Sequence, residues 1–180
     1  IVAAGTIVRK DIVKGDTMLL GSSMIARSIP FHANLYANLE RIIGLNFNYL
    51  ANLIALRRWY LDIRSMFIEG IMGAALHRGA AEKIDEALSE RLKQLGKVAE
   101  KMAESIKVQK SLSESPSEKT ITRKREFGER WPEILAFFKS CGDEKGDIKN
   151  FDEFSCSVTC GITKIGKNYI RVIQGLEKEN

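Results

Sequence analysis

Residues 35–67 read LYANLERIIGLNFNYLANLIALRRWYLDIRSMF, and within them Leu35, Leu39, Ile42, Ile43, Leu50, Leu53, Ile54, Trp59, Ile63, Met66 and Phe67 recur every three or four positions. That period gathers them on one side of a helix, so an amphipathic helix is expected from Ala33 to about Phe67. Ser28-Ile29-Pro30 is its expected entry, because proline fits the first turn, where its missing N–H costs nothing. The stripe also carries Phe31, Tyr36, Phe47, Tyr49 and Tyr60. This is more apolar surface than one partner helix covers, and such a face commonly meets another subunit. Leu35, Leu39, Ile43, Leu50, Ile54 and Trp59 are therefore the candidate self-association residues. The competing expectation is that a second helix of the same chain covers them all.

That second helix follows Gly70, Gly73 and Gly79, which loosen the chain. Ile84, Leu88, Leu92, Leu95, Val98, Met102 and Ile106 place it at about Ala80 to Val108, with a Glu- and Lys-rich opposite face that reads as solvated. Two long helices with a short connection pair antiparallel. Beyond them, SLSESPSEKT (residues 111–120) has no apolar period and reads as an exposed linker. Trp131-Pro132-Glu133 opens a short helix ending near Gly142, and a last helix is expected around Gly166 to Lys178. DEKGDIKNFDEFSCSVTCG, residues 143–161, reads as mostly loop. The expected divisions are 1–29, 30–110, a linker at 111–125, and a small helical segment at 126–180.

The chain has 180 residues, a formal net charge of +5 and a pI of about 9.1, but its Lys and Arg are interspersed with Glu and Asp. A mixed-charge solvated surface is expected. Arg41, Arg57, Arg58, Asp62 and Arg64 interrupt the richest apolar stretch, so no membrane span is expected. Cys141, Cys156 and Cys160 are too sparse for a secreted disulfide framework and fit free thiols in a cytoplasmic protein. The first residue is Ile1 and no leader pattern is visible, which suggests a segment of a longer chain.

Few residues carry chemistry. His32 and His77 lack a neighbouring nucleophile; His32 is expected to cap or pack at a helix entry and His77 to be solvated. Cys156 and Cys160 lie four apart, whereas zinc sites use tighter spacings and four ligands. Asp143, Glu144, Asp147, Asp152 and Glu153 lack the order of a calcium loop. Lys119, Arg123, Lys124 and Arg125, followed by Phe127 and Trp131, could hold phosphates and stack a base, but Glu118, Glu126 and Glu129 offset them. A solvated linker end is the reading taken. No catalytic, cofactor-binding or metal-binding residue is assigned, and nucleic acid is not expected as a partner.

The N-terminal segment is different in kind. IVAAGTIVRKDIVKGDTMLLG, residues 1–21, mixes β-branched residues with Gly5, Gly15 and Gly21 and turn signals at Lys10-Asp11 and Lys14-Gly15-Asp16, which means short strands and tight corners. Ala4-Gly5-Thr6-Ile7-Val8-Arg9-Lys10-Asp11-Ile12, followed by Gly15 and Gly21, resembles the closing coil of hexapeptide-repeat, left-handed β-helix proteins. In such a coil an aliphatic residue at each sixth position points inward, as Ile1, Ile7, Val13 and Leu19 would. A β-hairpin of an unrelated sheet is the competing reading and has no reason for a period of six. The resemblance implies a sugar-nucleotide enzyme such as the bacterial UDP-N-acetylglucosamine pyrophosphorylase and glucosamine-1-phosphate acetyltransferase type. Its Gly-rich nucleotide loop, metal-binding acids and His base have no counterpart in residues 1–21. One coil is not stable alone, so the coil's expected partners are upstream coils of the same chain and further copies of the chain, assembled as trimers. The expected fold is mainly α: an antiparallel long-helix hairpin plus short helices, preceded by the terminal coil of a left-handed parallel β-helix.

Overall fold

The computed structural model describes residues 1, 2, 6, 8, 15–21, 27–112, 117–141 and 147–176. The described chain is mainly helical and divides into two units: residues 1–37 with 101–128, and residues 38–100 with 129–180. The first unit is assembled from two distant pieces of chain, whereas the expected divisions are consecutive stretches.

In the first unit, β1 (Thr17–Leu20) pairs antiparallel with β2 (Arg27–Pro30) in the register Thr17↔Pro30 to Leu20↔Arg27. Pro30 therefore ends a strand, where a missing donor is tolerated, and does not open a helix. Phe31 N–H continues the ladder onto Asp16 C=O at 2.8 Å. Leu19 also bridges Val2 in parallel, and its N–H reaches Ile1 C=O at 2.9 Å. Ile7, Val13 and most of the stretch Ala4 to Ile12 lie outside the described residues.

The first long helix does not begin at Ala33. Asn34 and Tyr36 have φ of 62° and 42°, the left-handed region that a right-handed helix cannot accommodate. The turn is held from α3 (Met102–Leu112): Asn34 Nδ2 donates to Glu104 Oε1 and Lys101 Nζ to Asn34 Oδ1, each at 3.0 Å. α4 (Glu118–Glu129) occupies most of the expected linker, with Ile121, Lys124 and Phe127 buried at helical spacing. Ser117 C=O starts it by accepting from Thr120 and Ile121 N–H.

In the second unit, α1 (Leu39–Arg58) runs into a π turn at Trp59–Ile63 and a 3₁₀ turn at Arg64–Phe67. After Ile68 and Glu69 the chain enters α2 (Gly70–Glu100). The expected Gly-broken connection at 70–79 is thus helical. Gly70 takes the left-handed φ of 67° at the corner, while Ala74, Ala75, Leu76, Ala80 and Ala81 favour helix enough to offset about 1 kcal/mol at each interior glycine. At its other end α2 stops at Glu100, so the single helix expected to Val108 is two helices.

α1 and α2 form the antiparallel hairpin: Asn46 meets Arg91, Arg57 pairs with Asp85, and Tyr60 C=O meets His77. α5 (Trp131–Cys141), α6 (Ile148–Ile165) and α7 (Tyr169–Leu176) complete the unit. α6 corrects the loop expected at 143–161 from Ile148 onward, while residues 143–146 lie outside the described residues. Asp147 caps it by accepting from Asn150 N–H at 3.2 Å, and Ser157, Thr159 and Thr163 turn their hydroxyls back onto carbonyls four residues earlier. The helix needs a packed face, and Phe151, Val158 and Ile162 supply it against Ile63, Phe67 and Val172. No helix among the described residues is long and apolar enough to cross a membrane.

Candidate interaction surface

Of the six residues expected at a self-association surface, one falls in the first unit and five in the second. Leu35 lies in the turn before α1 and belongs to the first unit, where its C=O accepts from Ser105 Oγ at 2.5 Å and Lys124 Nζ at 2.6 Å. Leu39 and Leu50 are buried, at 4% and 0% exposure. Leu50 and Ile54 line a groove shared with Leu88, Leu92 and Phe138, so they face α2 and α5 of the same chain. Ile43 is half-buried. Trp59 packs on Phe154 and Tyr169, with ring centroids 5.8 and 6.4 Å away. The segment after residue 126 reaches this face as well. Once α6 is a full helix it has the length to do so, and Phe47 finds a further edge-on partner in Phe138 at 5.1 Å.

The apolar surface that stays outside is elsewhere. Ile71, Met72 and Leu76, on the first turns of α2, are 92%, 73% and 68% exposed. They stand in a charge-free run, Gly70 to Leu76, between Glu69 and Arg78. A second exposed stripe, Leu45, Tyr49 and Leu56, follows helical spacing along α1, with Arg91 over the Tyr49 ring at 4.8 Å. Exposed clusters of this kind are the ordinary signature of protein contact. The run from Gly70 to Leu76 was legible in the sequence, but it is hidden by reading its glycines as a loop.

His77 is half-buried within α2. Its Nε2 lies 2.8 Å from Tyr60 C=O, and since a carbonyl can only accept, Nε2 is the protonated nitrogen. The π turn allows this: Arg64 N–H is shared between Trp59 and Tyr60 C=O, and the imidazole shares the latter. Tyr60, Arg64, Glu69, Leu76 and His77 border a cleft of about 320 Å³ there. Arg64 lays its guanidinium over the Tyr169 ring at 4.0 Å, and Arg58 Nη2 contacts Asp62 Oδ2 at 2.9 Å. His77 thus ties the hairpin together where a solvated side chain was expected. His32 is exposed.

The basic cluster on α4 is split by the fold. Lys119, Arg123 and Arg125 are exposed, while Lys124 is fully buried and donates to Leu35 C=O and Gln109 Oε1, both at 2.6 Å. Neither acceptor is charged, and burial holds the Lys124 amine below its ordinary pKa of 10.5. Phe127 is buried. None of the three cysteines forms a disulfide; Cys141 is half-buried, and Cys156 and Cys160 are exposed on α6. Among the described residues no three His, Cys, Asp or Glu converge as a metal shell. Comparison of the chain with family models, curated proteins and solved structures finds no match.

Proposed function

We propose that this chain is a helical capping and self-assembly region of a sugar-nucleotide enzyme built on a left-handed hexapeptide β-helix, of the UDP-N-acetylglucosamine pyrophosphorylase and glucosamine-1-phosphate acetyltransferase type, and that it is itself non-catalytic. The observation carrying the reading is the hydrogen bond from Leu19 N–H to Ile1 C=O. These are the first and last members of the register Ile1, Ile7, Val13, Leu19. In a triangular coil three sides of six residues bring the chain back one layer on, and parallel contact between those two residues is what that closure requires. The parallel bridge from Val2 to Leu19 points the same way. An open edge of this kind needs covering, and a turn anchored on α3 and α4 follows the strands directly.

The coil is tested by replacing Val2 and Leu19 with cysteine in a background whose own cysteines are serine. A parallel bridge holds Cα atoms inside the ~4.4–6.8 Å range of disulfides, so mild oxidation should give an intrachain crosslink. Failure to crosslink removes the coil. Self-assembly is tested by light scattering at tens of micromolar, where a trimeric mass is expected; a monomeric mass without concentration dependence sinks the assembly role. Pyrophosphorylase or acetyltransferase turnover by the chain alone would overturn its non-catalytic standing. A second reading, an independent helical interaction module, is favoured by the exposed Ile71, Met72 and Leu76. It would be left standing by a monomeric mass together with a failed crosslink.

A further inference from the structure

α6 and α7 enclose an open groove of about 470 Å³ on the second unit, away from the β-strands in sequence. Cys156 and Cys160 both line it, one turn apart on the same face of α6, and both are exposed. Ser157 and Lys164 share that face, Glu153 stands at the start of the groove, and Val172 and Leu176 of α7 form the opposite wall. Two thiols side by side at the mouth of a cavity are not required by the packing, because the buried face of α6 is Val158 with its neighbours.

The spacing decides what the pair can do. Cβ atoms four residues apart on a helix are ~5–6 Å apart. A disulfide needs them at ~3.5–4.5 Å, so Cys156 and Cys160 cannot join without unwinding α6. Metal–thiolate bonds of ~2.3 Å place two sulfurs ~4.6 Å apart across a linear centre, close to the ~5–6 Å that separates side chains on consecutive turns. Zinc would ask for four ligands, whereas soft monovalent copper is content with thiolates at low coordination number.

We propose that the α6–α7 groove is a binding site for a soft, two-coordinate, thiophilic cation of the Cu(I) type, held between Cys156 Sγ and Cys160 Sγ. Binding forms two metal–sulfur bonds and sends both thiol protons to solvent, leaving the centre with one net negative charge. Lys164, one further turn along the same face, supplies the compensating charge, and Glu153 opposes it from the other end. No electron is transferred. The metal is a reversible ligand of a helix that is already formed, since Asp147 caps α6 and Val158 anchors it independently of the thiols.

The test uses the full chain under reducing, anaerobic conditions, with Cu(I) supplied from its bicinchoninate complex as the probe and competitor together. One equivalent per chain is expected, with a near-ultraviolet thiolate-to-copper band. Cys156→Ser and Cys160→Ser should each lower the affinity by at least ~100-fold, the loss expected when one arm of a chelate is cut. Cys141→Ser should leave it unchanged, and helical circular dichroism should be the same for all three variants. Wild-type affinity in either Cys156→Ser or Cys160→Ser overturns the site, as does a stoichiometry of one metal to two chains.

Discussion

Lys124 is the residue at which the sequence misleads most. It stands inside Lys119–Arg125 and reads as part of a solvated basic run, yet its amine is buried between a backbone carbonyl and a neutral amide. A neutral amine has two N–H groups, matching the two acceptors, while an ammonium brings a third donor and a charge. Burial therefore disfavours the ammonium more in the folded chain than in the unfolded one, and the lowered pKa has a definite sign in the pH dependence. Between the lowered pKa and 10.5 the unfolded chain holds more protons, so stability rises with pH across that window. Chemical denaturation should show this alkaline rise in the wild type and not in Lys124→Met. Near neutral pH, Lys124→Ala should cost roughly 2 kcal/mol, because Gln109 loses its donor and Leu35 C=O keeps only Ser105. Gly161 gives the opposite lesson about helix propensity. A Cβ there would come within 2.8 Å of Val172 Cγ1, at the closest approach of α6 and α7. Gly161→Ala should then lower stability by about 1–3 kcal/mol, against the gain alanine brings in an open helix.

At the scale of elements, periodicity carried far and failed in specific places. It found the α1–α2 hairpin, α5 and α7, because each has an apolar face repeating every three or four residues over enough turns. It missed α6, whose Ser, Cys, Thr and Gly content resembles a loop until the hydroxyls are seen folded back on their own helix. It also missed the boundary at Leu39, since nothing in Asn34 or Tyr36 announces a left-handed turn held by Glu104 and Lys101. A long-range contact made that decision. The cap on α6 is open to measurement: Asp147→Ala should cost about 1 kcal/mol, read as a lower midpoint in urea with unchanged slope. The π turn has a like dependence on a distant residue. His77→Ala removes the donor to Tyr60 C=O and should cost ~1 kcal/mol.

For the molecule as a whole, the sequence reads as carrying excess apolar surface on the first long helix, and the structure leaves exposed apolar residues on both α1 and α2. Leu50, Ile54 and Trp59 pack against groups of the same chain, and Ile71, Met72 and Leu76 are among the exposed apolar residues that a second copy could meet. Ile71→Glu combined with Leu76→Glu should convert an assembled species to monomer in light scattering while leaving the melting temperature within a few degrees. The same pair of changes with no effect on mass would place the contact on Leu45, Tyr49 and Leu56 instead. The two-piece make-up of the first unit has a further consequence, in the time domain of synthesis. Residues 1–37 cannot meet Lys101–Gly128 until residues 38–100 have been made. At ~5–20 residues per second the turn at Asn34 and Leu35 waits several seconds on the ribosome with its α3 and α4 partners still unmade. During that interval Asn34 and Leu35 lack the side chains that hold them, while Thr17–Leu20 already has its partner Arg27–Pro30. The α1–α2 hairpin is therefore made before the first unit can close, and nascent chains stalled before residue 101 carry the turn at Asn34 and Leu35 without its anchors.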